Sequence, residues 1–392
     1  MKLFVDGRKN VFRHLKTHIY PNDKIIWMHA ASLGEYEQGV PVLQELRKSF
    51  PQHKILLSFF SPSGYEVKKN TELADIVTYL PIDTKAKAKK FIELSHPDLA
   101  LFVKYEVWPN YLSALKNKNI PSLLISGNFR KDQIFFKSQA GFMKKALGKF
   151  DHLFVQNKDS EMILKNNGFT QVSISGDTRF DRVSEQLQRN NHLDFIEDFK
   201  NNKLCIVAGS TWPEDENILM DFINSAPNGI KFIIAPHEIK QSKIQDLQSK
   251  IKKSHILFSE KQDKDLKDYE VLIIDTVGLL IRIYSYADIA YVGGAAGNTG
   301  LHNILEPAAF GVPVIIGKNH QDFPEAGLLL KHKGLFSVKD ANQTSSILNK
   351  LISDHSFRQQ TGRNSADFIK QHQGATKKIM KYIKDNFNFL HS

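Results

Sequence analysis

The stretch KIIWMHAASLGEYEQGVPVLQELRKSF, residues 24–50, sets the pattern that the rest of the chain repeats. Its first part, KIIWMHAAS, is a short apolar run closed by small residues, the mark of a strand buried on both faces. Its second part, GVPVLQELRKSF, carries apolar residues at helical spacing. Between them Gly34 stands directly before Glu35, and no basic residue lies between His29 and Gln38. A carboxylate is therefore expected where a strand hands over to a helix, the edge at which an α/β sheet presents its ligands.

The same unit recurs downstream. KILLSFFSPSG, DIVTYLPID, LALFVKYEVWP, SLLISGN, HLFVQN and VSISGD are apolar runs ending in turn residues, separated by helical patterns such as DSEMILKNNGF, where Gly168 suits a helix end. Strands alternating with helices predict a parallel sheet. After the polar, strand-poor segment RVSEQLQRNNHLDFIEDFKNNK a second series begins: LCIVAGST, KFIIAPHE, HILFSE, VLIIDT, IAYVGG and VPVIIG. The expected organisation is an N-terminal Rossmann-like domain over residues 1–190 and a second over 191–365. Residues 366–392 are expected as basic helices packing back toward the first domain.

The totals bound the function. A chain of 392 residues with 41% hydrophobic and 24% charged content is an ordinary globular protein of two or three domains. Cys205 is the single cysteine, so no intramolecular disulfide forms, and NKLCIVAGS places it in a buried strand as a core residue. The net charge of +11 predicts an anionic partner: nucleic acid, a membrane surface or a phosphorylated substrate. The longest apolar candidate, VLIIDTVGLLIRIYSYADIAYVGG, is broken by Asp275, Arg282 and Asp288, and MKLFVDGRKN lacks the apolar core of a secretory signal.

In the second domain the densest signal is YVGGAAGNTGLHNILEPAAFGVPVIIG, residues 291–317. A strand runs into a glycine-rich turn through Gly294, Gly297, Asn298, Thr299 and Gly300, and a helix is expected from Leu301 or His302. Such turns let backbone N–H groups approach a phosphate. Asn303 and Glu306 follow, and a carboxylate there suits the two vicinal hydroxyls of a ribose. VAGSTWPEDE places Ser210 and Thr211 at another strand end, as phosphate donors or as a helix cap boxed with Glu214; IIAPHEI adds Pro236 and His237. Neither GxxxxGK[ST] nor GxGxxG occurs, so ATP hydrolysis and nicotinamide chemistry lose their usual marks.

Taken in order, HAASLGEYEQGVPVL, SPSGYE, YLPID, YEVWPNYL, SGNFR, FVQNKDSE, SGDTRFDRV, AGSTWPEDE, APHE, DTVGLLIRIYSYADIAYVGG and GLHNILEPAAFGVPVIIGKNHQDFPEA resemble the 3-deoxy-D-manno-octulosonic acid (Kdo) transferases. The resemblance implies an α/β GT-B fold, two Rossmann-like doubly wound domains facing each other across a cleft. It implies transfer of Kdo from CMP-Kdo to the lipid A precursor of lipopolysaccharide, with inversion and with no cofactor or metal. It assigns Glu35 as catalytic base, with Ser32, Gly34, Glu106, Arg130 and Arg179 as acceptor-binding or auxiliary residues. The donor would lie against Ser210, Thr211, Pro236, His237, Gly294, Gly297, Asn298, Thr299, Gly300, Asn303 and Glu306, with Lys318, Asn319, His320 and Glu325 near by. Glu37 would face away into solvent, and Arg179 would meet either a substrate anion or Asp177 or Asp181.

The chain departs from the family pattern in VKYEVWPN and in SGNFR, where an asparagine-alanine-arginine sequence is more usual. Members commonly begin with a hydrophobic anchor, whereas MKLFVDGRKNVFRHLKTH is basic. The expected location is the cytoplasmic face of the inner membrane, reached peripherally or through an anchor absent from this chain. The expected partners are CMP-Kdo, a phosphorylated lipid A precursor and an anionic membrane surface, without nucleic acid. The rivals are another GT-B enzyme using a UDP-sugar, as transferase or epimerase, and a nucleic-acid-binding protein suggested by charge alone.

Overall fold

A computed structural model describes residues 2–137 and 141–391. The chain forms two compact units: one runs through Arg182 and resumes at His372, and the other spans Val183–Gln371.

The first unit is built on seven parallel strands: β1 Lys24–Ala30, β2 His53–Phe59, β3 Ile76–Tyr79, β4 Leu99–Val103, β5 Ser122–Gly127, β6 His152–Val155 and β7 Val172–Ile174, in the order β3-β2-β1-β4-β5-β6-β7. The chain winds outward from β1 to β3, then returns to lay β4 on the other side of β1. Loops leaving β1 and β4 therefore run in opposite directions and open a crevice at their carboxyl ends. Alternation along β1 divides the core: Ile25 and Trp27 enter one apolar cluster with Phe91, Phe102 and Tyr111, while Ile26 and Met28 enter another with Leu57 and Leu101. That second cluster also contains Ile379, Met380 and Ile383 of the helix Ala375–Asn386, so the chain's return supplies part of the first unit's core.

The helix Leu33–Ser49 follows β1 and carries Pro41 in its interior. Proline has no N–H to give the carbonyl of Glu37 one turn earlier. Arg182 Nη1 donates to that carbonyl at 3.4 Å, and the Thr178 hydroxyl donates to the neighbouring carbonyl of Gln38 at 2.6 Å. The break thus becomes a docking point for the helix that begins at Thr178. Asp181 on that helix accepts the amides of Gly374 and Thr376 at 2.6 and 2.7 Å, capping the start of Ala375–Asn386 with a carboxylate where free N–H groups and the helix dipole favour one.

The second unit has seven parallel strands as well: β8 Leu204–Thr211, β9 Ile230–Pro236, β10 His255–Leu257, β11 Val271–Ile273, β12 Ile289–Val292, β13 Val314–Ile316 and β14 Leu335–Ser337, in the order β10-β11-β9-β8-β12-β13-β14. Its reversal of winding falls between β8 and β12. Cys205 lies wholly inside this sheet, and burial pushes its thiol up to about 12, which leaves no thiolate for chemistry. Among the described residues, no helix is long and apolar enough to cross a membrane.

Candidate functional site

In the first unit every candidate follows the carboxyl end of a strand: Ser32, Gly34 and Glu35 after β1, Glu106 after β4, Arg130 after β5 and Arg179 after β7. Ser32 is extended and precedes the helix Leu33–Ser49, which puts Glu35 in its first turn. The Ser32 hydroxyl donates to the Glu35 carboxylate and so fixes its rotamer. Gly34 is exposed, and a Cβ added there would meet only Ser32 Oγ, at 3.9 Å, so the face beside Glu35 is open.

Tyr105 shows how the charges gather. Burial raises its phenol's pKa; Arg130 and Arg179 pull it down, while Glu35 and Asp177 push it up. One half-buried hydroxyl thus lies within the fields of the predicted base and both predicted arginines. Of the two acids offered as partners for Arg179, Asp177 takes it, at 2.7 Å from Nη2 and 2.9 Å from Nε, while Asp181 is spent on the helix cap. Arg130 is exposed and lies 3.7 Å from Asp132. Glu37 corrects the sequence expectation: it is half-buried and paired with Lys68 at 3.6 Å and with Arg182, an anchor between elements rather than a solvated side chain.

Glu106 is held by two donors, Trp108 Nε1 at 2.8 Å and His29 Nε2 at 3.3 Å, both on Oε2. His29 had no role in the sequence reading. It occupies β1, is fully buried, and its other nitrogen meets Ser58 Oγ at 2.9 Å. Its polarity inside an otherwise apolar strand was the available signal.

In the second unit the site is a loop braced from beneath. Ser210 has φ +53°, the pairing of β8 with β9 shifts register between Gly209 and Thr211, and the strand end bulges toward β12. A Cβ on Gly293 would lie 2.3 Å from the Ser210 carbonyl oxygen, so only glycine fits there. Asp215, fully buried, accepts the Gly294 amide at 2.8 Å and the Trp212 amide at 3.0 Å on Oδ2; its Oδ1 accepts the Tyr291 hydroxyl at 2.8 Å and the Ala296 amide at 3.3 Å. Asn319 closes the other side, donating to the Gly297 carbonyl at 2.7 Å. The loop is therefore rigid, while the amides of Gly297, Asn298, Thr299 and Gly300 donate to nothing among the described residues. Such a set of free N–H groups suits an anion.

Three expectations change here. Thr211 is buried and its hydroxyl donates to Glu216 at 3.1 Å, so this side chain offers nothing to a phosphate. The helix after it spans Pro213–Ser225 behind Trp212, with Asp215 rather than Glu214 bonded back to the cap residue, so no Ser210 or Thr211 box with Glu214 forms. The helix expected from Leu301 or His302 begins only at Leu305, because residues 293–304 are spent on the loop; Glu306 lies in its first turn, where Asn303 donates to it at 3.0 Å.

Pro236 ends β9, and His237 stacks on Trp212 with ring centres 4.6 Å apart. Trp212 Nε1 donates to His302 Nε2 at 3.1 Å, and burial, aided by the neighbouring His237, drives His302 down to about 4. His302 is thus a neutral ring beside the loop. Lys318 is exposed, and His320 and Glu325 are half-buried.

Residues 8–182 match the family described as 3-deoxy-D-manno-octulosonic-acid transferase (Kdo transferase). A 3-deoxy-D-manno-octulosonic acid transferase of Aquifex aeolicus is 29% identical over 84% of this chain and 86% of its own length. The family match covers the first part of the chain, and over most of its length the chain is similar to Kdo transferases. Its similarity to these proteins supports a glycosyltransferase. A bifunctional glycosyltransferase/methyltransferase of Fusobacterium nucleatum is 27% identical over the whole chain, which spans 63% of that relative's length. The UDP-GlcNAc 2-epimerase of Neisseria meningitidis, solved with UDP-GlcNAc, superposes with a TM-score of 0.65 at 15% identity over 93% of this chain and 100% of that one. At that identity the likeness shows the fold, which is GT-B.

Proposed function

We propose that this protein transfers Kdo from CMP-Kdo to the phosphorylated lipid A precursor, lipid IVA, with inversion at the anomeric carbon, as a step of lipopolysaccharide biosynthesis. The observation that carries the reading is Glu35, fixed by Ser32 at the β1 edge and sharing the surroundings of Tyr105 with Arg130 and Arg179, in a chain similar to the Kdo transferases.

The chemistry then divides between named groups. A sugar hydroxyl of the acceptor attacks the anomeric carbon; the bond from that carbon to the CMP phosphate breaks, and the hydroxyl proton passes to Glu35. Oxocarbenium character in the transition state also draws on the nearby carboxylate. The departing phosphate is received by the free amides of the Gly297–Gly300 loop, held still by Asp215 and Asn319, so that no reorganisation is needed as charge develops. Glu306 accepts hydrogen bonds from the ribose. Arg179 and Arg130 meet the Kdo carboxylate or the acceptor phosphates. Residues assigned from the sequence alone, Ser210, Pro236 and His237 among them, line the nucleotide. No metal is assigned.

The acceptor is a lipid, so the reading includes a peripheral position at the cytoplasmic face of the inner membrane of a Gram-negative cell, favoured by the net charge of +11. The test is incubation with CMP-Kdo, generated in place, and tetraacylated bisphosphorylated acceptor, followed by mass spectrometry. Added Kdo with wild type and none with Glu35→Gln, which still folds and binds CMP, is the expected result. Turnover of a UDP-sugar instead, with CMP-Kdo untouched, would sink the donor assignment.

A further inference from the structure

The polar groups beneath Glu106 form a chain that begins at a fixed donor in the core. Trp27 Nε1 donates to Ser58 Oγ at 2.8 Å, and an indole nitrogen can only donate. The Ser58 hydroxyl, having accepted from Trp27, has one proton to give. His29 Nδ1 lies 2.9 Å from that oxygen and 3.1 Å from the Ser58 carbonyl, and His29 Nε2 faces Glu106 Oε2 at 3.3 Å. A bare Nε2 would set its lone pair against a carboxylate oxygen, two acceptors in a buried contact. Of the two singly protonated tautomers, the one that leaves no acceptor facing an acceptor carries hydrogen on Nε2, takes the Ser58 proton at Nδ1 and donates to Glu106.

The far end of the chain has a matching asymmetry. Trp108 and His29 both donate to Oε2, and Oε1 has no partner among the described residues. His29 is fully buried and wedged edge-on between Phe102 and Trp108, so it cannot reach a substrate itself.

We propose that His29 is a positioning residue: through the Trp27–Ser58–His29 relay it locks Glu106 by Oε2 and leaves Oε1 as the single acceptor offered to a hydroxyl of the sugar acceptor. This rests on the acceptor-site reading of Glu106. The carboxylate works from one oxygen because its other oxygen is tied to the core, and a hydrogen-bonded chain of this kind strengthens along its length.

Two substitutions separate the ring nitrogens. In His29→Gln the side-chain amide reaches the Nε2 position and still donates to Glu106, whereas in His29→Asn the shorter amide reaches only the Nδ1 position. A hydrogen bond to a charged group corresponds to roughly 10- to 100-fold in rate, so His29→Asn should lose about that much kcat with CMP binding unchanged, and His29→Gln should recover to within about threefold. Equal losses in both variants, or none in either, would overturn the proposal. Nitrogen-15 spectra of the wild type near neutral pH supply a readout that needs neither substrate nor variant: a proton on Nε2 with Nδ1 bare is expected, and a protonated Nδ1 overturns the relay. If wild type shows no Kdo transfer at all, the functional reading falls while these spectra still decide the direction of the chain.

Discussion

Asp215 accepts the Gly294 amide at 2.8 Å while the same carboxylate accepts the Tyr291 hydroxyl, so the helix after β8 and the strand β12 hold one loop between them. Asp215→Ala would leave a buried hydroxyl and three amides without their acceptor. We expect a loss of about 3 kcal/mol in urea unfolding, together with weaker CMP binding by calorimetry; unchanged CMP affinity would show that the loop is not the phosphate site.

Gly294 has φ +97°, and a Cβ placed there would lie 2.0 Å from the Gly300 carbonyl oxygen. Gly294→Ala combines a strained backbone with a clash against main chain and should cost about 2 kcal/mol or more. Nucleotide binding should fall further than stability, as a comparison of Kd with the unfolding midpoint would reveal.

His302 gives the fold a pH dependence of known sign. Its folded pKa, about 4, lies below the ordinary value of 6.5, chiefly through burial and then through His237. Between those values the unfolded chain binds more protons than the folded one, so stability contributed by the neutral ring is complete above about 6.5 and drains away as pH falls toward 4. Unfolding midpoints measured across that window should drop, and His302→Gln should flatten the slope. A wild-type profile as flat as the variant's would refute the assignment.

Asp181 is the cap of the helix Ala375–Asn386, accepting two of its first amides. Asp181→Ala should cost about 1–2 kcal/mol, the usual effect of a lost helix cap, and should raise hydrogen exchange in that helix before any other part of the first unit. Uniform exchange across the unit would count against a local cap.

Periodicity made most of this molecule legible. Apolar runs closed by turn residues mark the strands because both faces of a parallel sheet are buried, and Gly293 with Gly294 announced a loop because nothing larger fits against Ser210 at the first or against Gly300 at the second. Long-range polar contacts were not legible. Asp215 reads as an ordinary first-turn acid, yet its partners Tyr291, Gly294 and Ala296 lie about eighty residues away in sequence. His29 looked like a neighbour of the motif, and only the pairing of β1 with β2 and β4 brings Ser58 and Glu106 to its two nitrogens. Glu37 was misjudged because helical spacing alone cannot show that Pro41 opens a seat for Arg182 beside it.

The return of the chain to the first unit has a consequence for biosynthesis. Ile379, Met380 and Ile383 fill the same cluster as Ile26 and Met28, so that cluster stays open on the ribosome until the whole of Val183–Gln371 has been made. The unit begun first is finished last. Its sheet must wait, with an apolar face bare, while the later unit emerges and folds, and a nascent chain stalled before residue 375 would carry a complete second unit beside an unsealed first one, a natural client for a chaperone.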